Sequence, residues 1–199
     1  DVADLYRNPV MILADGMIGQ MMEAIEWHDV PKRELPEKPW ATTGTHGERK
    51  PNIVNSLYMD PAELERMNLA MDATYEKIKK TEVKCEKYMT EDAELVLAAY
   101  GTTARIAKSA ISIARKELGI KVGLIRPITL WPYPKKAFEA LGPQVKAFLD
   151  IEMNILGQMT DDIILADGNK HPVEFYGEYW HLIDENKIVA KAKEMLAKY

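Results

Sequence analysis

Cysteine is nearly absent from this sequence, since Cys85 is the only one among 199 residues. A single cysteine forms no disulfide within the chain and cannot supply the four thiolates that hold an iron–sulfur cluster. Any one-electron chemistry would therefore take place on another chain. The residues around it, EVKCEKY, resemble an exposed strand more than the surroundings of a reactive nucleophile.

Long apolar runs and clusters of basic residues are missing as well. No run approaches the roughly 18 apolar residues that a membrane span needs, and there is no signal peptide, so we expect no membrane partner and a cytoplasmic location. The 26 basic and 31 acidic residues give a net charge of −5. This charge disfavours a nucleic-acid partner bound through its phosphates.

Familiar catalytic and metal-binding motifs are also lacking. No serine lies in a G-x-S-x-G turn, and the four histidines are scattered without a second ligand at metal spacing. We therefore expect no metal ligand and no catalytic residue in this chain. His46 is the histidine to test, because its glycine-flanked loop TTGTHGERK is of a kind that can carry function.

After Thr90, strand and helix patterns alternate to the C-terminus. The apolar runs ELVLAAY, KVGLIRP, VKAFLDIE and PVEFYG predict buried strands, and the segments between and after them predict helices, two of which end at Gly119 and Gly168. Such alternation requires crossover connections. Residues 91–199 are therefore predicted to form an α/β domain with a mostly parallel sheet and helices on both faces.

The first 90 residues show a different organisation. Residues 8–16, NPVMILADG, predict a short buried parallel strand without a domain of its own, and the start of the chain resembles part of something longer. Repeated prolines and glycines predict a linker over residues 29–59. Asp60 and Pro61 then begin a helix with one apolar stripe, composed of Leu64, Met67, Met71, Tyr75 and Ile78. We expect this stripe to pack on the next domain or on a partner.

Three prolines lie within LIRPITLWPYP, residues 124–134. Pro127 cannot donate to a sheet ladder, so pairing is predicted to stop near Arg126, and Trp131 to Pro134 are predicted to lead rigidly into the next helix. A proline-rich ligand for an aromatic groove is the alternative.

Gly101, Thr102 and Thr103 stand between a predicted strand and the N-terminus of a helix. Free N–H groups at such a position either bind an anion or are capped by a threonine hydroxyl, and both interpretations stay open. The spacing matches neither G-x-G-x-x-G nor the phosphate-binding P-loop.

Glu152, Asn154 and Gln158 follow the third predicted strand at its carboxyl end, where open α/β sheets place ligands or partners. The alternative is that they cap the next helix and hold the loop. The pentapeptide ILADG occurs twice, at residues 12–16 and 164–168, and we interpret the repetition as accidental.

Several segments together resemble a known family. AYGTTARIAKSAI, IKVGLIRPITLWPYP and IEMNILGQM resemble the C-terminal domain of the transketolase superfamily, as it occurs in 2-oxoacid:ferredoxin oxidoreductases. With YRNPVMILADGMIGQMME and KPWATTGTHGERKPNIVNSLYMDP, the chain resembles the alpha subunit of the branched-chain, 2-oxoisovalerate type.

The resemblance implies a function for a whole complex. Such complexes oxidatively decarboxylate a branched-chain 2-oxo acid to acyl-CoA and reduce ferredoxin, using thiamin diphosphate, Mg²⁺, iron–sulfur clusters and coenzyme A. The implied partners are beta, gamma and ferredoxin-like delta subunits, ferredoxin, and a second alpha subunit. None of the cofactors is expected on this chain alone.

The resemblance also implies a division of the chain. Residues 1–28 would end a thiamin pyrimidine-binding domain, 29–59 would be a linker, 60–90 a connecting helix with an extended segment, and 91–199 the transketolase C-terminal-like domain. The side chains expected to organise loops or subunit contacts are Arg126, Trp131, Glu152, Asn154 and Gln158.

Two other functions remain as alternatives at this point. One is a stand-alone module that binds an anion or nucleotide through residues 101–103. The other is the equivalent domain of a lipoamide-linked 2-oxoacid dehydrogenase.

Overall fold

The computed structural model describes residues 1–199, which form two compact units. One unit combines residues 1–12 with 23–81, and the other combines residues 13–22 with 82–199. No helix of the chain has the length and apolar character needed to cross a membrane.

The first unit contains one long helix. Its regular elements are α1 (Val2–Tyr6) and α2 (Pro61–Thr81), and residues 29–59 contain neither helix nor strand. α2 begins where the sequence predicts, because Asp60 Oδ1 accepts a hydrogen bond of 3.0 Å from the backbone N–H two residues later. The predicted apolar stripe lies mostly at the surface, and of its members only Ile78 is buried.

The strand predicted for residues 8–16 is wrong. The segment has no regular structure, and the side chains of Val10, Met11, Ile12 and Leu13 are exposed. A parallel strand exists only through ladder hydrogen bonds to its neighbours, and the sheet of this chain does not include the segment. Apolar character alone therefore does not form a strand where no neighbouring strand is available.

The second unit is a five-stranded sheet with helices packed against it. Its elements are β1 (Cys85–Tyr88), β2 (Leu95–Ala98), α3 (Gly101–Glu117), β3 (Val122–Pro127), α4 (Lys135–Glu139), β4 (Ala147–Glu152), α5 (Thr160–Asp167), β5 (Val173–Gly177) and α6 (Glu185–Lys198). The strand order is β1-β3-β2-β4-β5. β1 runs antiparallel to β3, and the other neighbouring pairs are parallel. The predicted α/β class with a mostly parallel sheet is therefore confirmed.

Helices cover both faces of this sheet. α3 and α6 pack on one face around Leu97, Leu149 and Ile151, whereas α4 and α5 pack on the other around Val96 and Phe148. Successive side chains of a strand point to opposite faces, so a strand covered on both sides must be apolar along its length. This requirement explains the near-continuous apolar runs of the sequence.

The predicted helix ends are confirmed. Gly119 follows α3 and Gly168 follows α5, and both have a left-handed backbone, with φ of +67° and +71°. α6 begins at Asp184, whose carboxylate accepts a hydrogen bond of 2.8 Å from the Asn186 N–H. Each of these residues therefore fixes where a helix begins or ends.

β3 extends one residue further than predicted. We expected its pairing to stop near Arg126, but Pro127 pairs with Cys85 of the edge strand β1. Proline lacks a donor, and the next residue supplies one, since the Ile128 N–H donates to the Lys84 carbonyl at 3.0 Å. In the segment that follows, the peptide bond before Pro132 is cis.

Candidate functional site

The loops that follow β2, β3, β4 and β5 lie at one edge of the sheet. These strands are mutually parallel, so their carboxyl ends point in the same direction. This is the edge on which open α/β sheets place ligands and partners. The residues that the sequence singles out in this domain lie in these loops or in the ends of the strands and the helix that they join.

A carboxylate of the same chain occupies the N-terminus of α3. The Thr102 hydroxyl donates to Asp15 Oδ2 at 2.8 Å, and the Thr102 backbone N–H lies 3.4 Å from the same oxygen. A hydrogen bond from the Ile18 N–H and those from Thr102 hold the pKa of Asp15 below its usual range. The negative charge also suits the positive end of the helix dipole.

Of the two interpretations left open for residues 101–103, capping by a threonine hydroxyl is not what the structure shows. Tyr100 occupies the capping position of α3 and makes no side-chain cap hydrogen bond. Gly101, Thr102 and Thr103 begin the helix itself, so their hydroxyls follow the position at which a capping side chain reaches the free N–H groups. Asp15 takes that role from a segment distant in the sequence.

The loop between β4 and α5, residues 153–159, is held by two polar side chains. Asn154 Oδ1 accepts from the N–H groups of Leu156 and Gly157 at 2.9 and 2.8 Å, and Asn154 Nδ2 donates to Glu152 Oε2 at 2.8 Å. Glu152 Oε1 accepts from the Met159 N–H at 2.7 Å. Glu152 and Asn154 thus join the end of β4 to the start of α5.

Close packing restricts two glycines beside this loop. Gly157 has φ of +65°, and a Cβ there would lie 2.8 Å from Thr160 Oγ1. A Cβ at Gly177, the last residue of β5, would lie 2.2 Å from the Asn154 carbonyl oxygen. Gln158, which the sequence grouped with Glu152 and Asn154, is exposed and takes no part in this network.

Beneath the same loop lies a group of acids and phenols that the sequence analysis missed. Asp150 is fully buried, its Oδ2 accepts from the Thr160 hydroxyl at 2.6 Å, and its Oδ1 has no partner. The Tyr133 hydroxyl is also buried without a partner. Burial, opposed by the Thr160 hydrogen bond and reinforced by the charge of Glu152, raises the pKa of Asp150 to about 8.

The pKa values of the neighbouring acidic and phenolic groups are shifted in the same direction. Burial raises the pKa of Tyr133, of Tyr100 and of Asp162, and nearby carboxylates add to each shift. No group of His, Cys, Asp and Glu side chains in the structure is arranged to hold a metal ion. The pKa shifts of all of these side chains therefore have the same direction, toward the neutral form.

The other two predicted candidates belong to β3 and to the loop that follows it. Arg126 Nε lies 3.0 Å from Glu86 Oε2, across the ladder between β3 and β1. Lys108 also contacts Glu86, and these cations lower the pKa of that carboxyl, with Lys108 having the larger effect. Arg126 therefore fastens the edge strand, while Trp131 is 54% exposed in the loop after β3.

The second copy of ILADG has a local role. Asp167 accepts hydrogen bonds of 2.8 Å from the backbone N–H groups of Lys170 and His171, and it lies 2.8 Å from His171 Nδ1. These contacts hold the pKa of Asp167 low although burial alone would raise it.

His46 is exposed in residues 29–59 and has a left-handed backbone, with φ of 49°.

Comparison with known proteins now places this geometry in a family. Residues 93–179 match the family described as pyruvate:ferredoxin oxidoreductase core domain II. This part of the chain is similar to that family. The match runs from just before β2 into the loop after β5, so it includes most of the carboxyl edge described above.

Relatives of the oxidoreductase core domain extend the similarity to almost the whole chain. The ketoisovalerate oxidoreductase subunit VorB of Methanothermobacter marburgensis is 41% identical over 98% of this chain and 54% of its own length. The subunit of the same name from Methanothermobacter thermautotrophicus is 38% identical over the same shares. The predicted resemblance is therefore confirmed, and the chain spans about half the length of these curated relatives.

A solved structure shares the fold of this chain. It is described as 2-oxoglutarate:ferredoxin oxidoreductase from Magnetococcus marinus with 2-oxoglutarate, coenzyme A and succinyl-CoA bound. The TM-score is 0.60 at 22% identity, and the match covers 81% of this chain and 28% of that chain. The similarity supports the arrangement of sheet and helices described above.

Proposed function

We propose that this chain is part of the alpha subunit of a branched-chain 2-oxoacid:ferredoxin oxidoreductase. The observation that carries the proposal is the 41% identity to a ketoisovalerate oxidoreductase subunit over 98% of the chain. The proposed complex decarboxylates 3-methyl-2-oxobutanoate, transfers the acyl group to coenzyme A and passes the electrons to ferredoxin. Its other members are beta, gamma and ferredoxin-like delta subunits, and two alpha subunits contact each other.

The cofactors of the proposed complex do not fit the side chains of this chain. The sequence offers one cysteine for any iron–sulfur cluster, and no acidic or histidine group is arranged to bind Mg²⁺. The N-terminus of α3, where a diphosphate would find free N–H groups, is filled by the Asp15 carboxylate. We therefore assign thiamin diphosphate, Mg²⁺, the clusters and coenzyme A to other parts of the complex.

The role proposed for this chain is scaffolding and subunit assembly. Large apolar side chains project from three loops of the carboxyl edge, including Trp131, Leu156 and Trp180, the last of which is 80% exposed. Exposed apolar groups clustered on one side of a domain are typical of protein interfaces. Glu152 and Asn154 support this role indirectly, because they hold the loop that carries Leu156.

A division of the chain is part of the same proposal. Residues 1–28 would complete a pyrimidine-binding domain, and residues 29–59 would link it to the connecting segment of 60–90. Residues 91–199 would form the transketolase C-terminal-like domain. The exposure of Val10 to Leu13 supports the first assignment, since this apolar run lacks a sheet within the chain.

Reconstitution tests the activity. The chain is co-expressed with the other subunits, and the purified complex is supplied with coenzyme A, oxidised ferredoxin and either 3-methyl-2-oxobutanoate or 2-oxoglutarate. We expect ferredoxin reduction that depends on coenzyme A and is faster with the branched-chain acid. Preference for 2-oxoglutarate would contradict the proposed substrate, and acyl transfer to lipoamide without ferredoxin reduction would contradict the class of enzyme.

Surface variants test the assembly role. Leu156→Ser and Trp180→Ser alter exposed side chains of the carboxyl edge, and we expect each to reduce the amount of partner subunit that co-purifies. Leu165→Ser, in an equally exposed position on α5, is the matched control and should leave co-purification unchanged. Equal yields for all three variants, or turnover of the 2-oxo acid by this chain alone, would contradict a scaffolding role at this edge.

A further inference from the structure

Two carboxylates lie side by side in the interior of the second unit. Asp150 and Glu152 occupy alternate positions of β4, so both project from the same face of the sheet, beneath the β4–α5 loop. Their exposed fractions are 0% and 3%. Ala98 and Phe175, which flank Asp150 on the neighbouring strands, are both apolar.

No positive charge offsets this pair. Asp150 accepts from the Thr160 hydroxyl, and Glu152 accepts from the Met159 backbone N–H and the Asn154 amide, all of which are neutral donors. The titratable groups that face Asp150 from the surrounding elements are themselves acids, and they are Glu152 on its own strand, Asp162 on α5, Tyr133 after β3 and Tyr100 after β2. Two negative charges in this setting are unfavourable unless one of them is neutralised.

The hydrogen bonds indicate which carboxyl group is neutralised. Both oxygens of Glu152 already accept hydrogen bonds from N–H groups. Asp150 Oδ1 receives no donor, so a proton on Asp150 Oδ1 can be donated without displacing an existing contact. We propose that Asp150 and Glu152 hold one shared proton, carried by Asp150, and that this proton keeps the β4–α5 loop, residues 153–159, closed.

The titration of Asp150 determines whether the closed loop gains or loses stability as the pH rises. Its pKa in the folded chain, about 8, lies above the ordinary value of 3.8. A folded state that binds a proton more tightly than the unfolded state loses stability as the pH rises through the interval between these values. As the pH rises toward 8, the closed loop loses stability relative to the open one, because a second charge forms beside Glu152, which anchors both the Asn154 side chain and the start of α5.

Asp150→Asn imitates the protonated acid at every pH. Its amide nitrogen can donate to Glu152, and its oxygen can accept from Thr160. Hydrogen exchange of the amides of residues 154–159, corrected for its intrinsic dependence on pH, is measured from about pH 6 to about pH 9.5. In the unmodified chain we expect about a hundredfold loss of protection between about pH 6 and pH 8, tenfold per pH unit, and little further loss above pH 8. In Asp150→Asn the protection should not change with pH.

A control and a direct measurement complete the test. Asp161→Asn removes an exposed carboxylate on α5 and should retain the pH dependence of the unmodified chain. The carboxyl ¹³C resonance of Asp150 in the unmodified chain reports the titration without any substitution, and its midpoint should lie near pH 8. Three results would each overturn the proposal. They are a titration midpoint of Asp150 near the ordinary value, loop protection in Asp150→Asn that changes with pH, and loop protection in Asp161→Asn that does not change with pH.

Discussion

Gly177→Ala is the most direct test of how tightly the β4–α5 loop packs on the sheet. Gly177 ends β5 and pairs with Glu152. An added Cβ would lie 2.2 Å from the Asn154 carbonyl oxygen and 2.3 Å from Phe175 Cζ, far inside ordinary contact distance. The carbonyl cannot move alone, because the Asn154 side chain is bonded to Glu152 and to two backbone N–H groups of the loop.

The expected loss of stability in Gly177→Ala follows from the cost of overpacking an interior. Forcing one extra methyl group into a closed interior costs about 1–3 kcal/mol of unfolding free energy. For a domain of this size that corresponds to a fall of about 4–12 °C in the thermal midpoint. Thermal unfolding followed by circular dichroism measures the fall, and hydrogen exchange should locate the largest loss of protection in residues 153–159.

Gly16→Ala is the matched control for this prediction. A Cβ at Gly16 meets nothing within 4 Å, and its backbone is not in the left-handed region. We expect its unfolding free energy to stay within about 0.5 kcal/mol of the unmodified chain. If Gly177→Ala were as stable as Gly16→Ala, the loop would not rest on β5 as described, and the supporting role of Glu152 and Asn154 would fail with it.

Four further substitutions, one of them a control, test other parts of the fold. Leu149→Ala, in a fully buried position of β4, should lower the unfolding free energy by about 2–5 kcal/mol in denaturant titrations, whereas Leu165→Ala, which is 71% exposed, should change it by less than about 0.5 kcal/mol. Asp15→Ala should cost about 1 kcal/mol and reduce hydrogen-exchange protection in the first turn of α3, because the free N–H groups there lose their acceptor. Lys191 and Lys198 hold the pKa of Glu174 at about 2, so the stability that Glu174 contributes is present above its ordinary pKa of 4.5 and is lost as the pH falls toward 2. Glu174→Gln should remove this part of the acid dependence. The change in unfolding free energy should be less than about 1 kcal/mol, because the contacts of Glu174 with the two lysines lie near the surface.

The strands and helices of residues 91–199 could be predicted because each central strand is buried on both faces. Burial on both faces demands an uninterrupted apolar run, and helices with one covered face demand a three-to-four residue period. Gly119 and Gly168 then determine where two helices stop. These signals are local in the sequence, so they do not depend on knowing the partner of each segment.

Residues 8–16 show where the same reasoning fails. Their apolar run has the composition of a buried strand, but composition does not reveal which neighbours supply the ladder. The role of Asp15 was hidden for a related reason. Its partner Thr102 is 87 residues away in the sequence, and nothing in the local pattern of either residue indicates the other.

Asp150 is an intermediate case, because part of its setting could have been found. An aspartate and a glutamate two positions apart in the buried run AFLDIE must share one face of a strand, and the face is predicted to be covered. A pair of acids in such a run predicts at least one perturbed pKa. The sequence could not supply the surroundings, since the orphaned oxygen and the facing Tyr133 depend on how the loop after β3 folds back.

The polar groups at the carboxyl edge are largely satisfied from within the chain, and this limits what the edge can do. The Asp15 carboxylate fills the N-terminus of α3, and Glu152 with Asn154 binds the backbone of the β4–α5 loop. A small anionic ligand would have to displace one of these internal contacts. The apolar side chains of the same loops, by contrast, remain exposed, with Leu156 at 75% and Trp180 at 80%. Burying such side chains against another protein surface is favourable and disturbs none of the internal hydrogen bonds, so the physical character of this edge favours assembly over ligand binding.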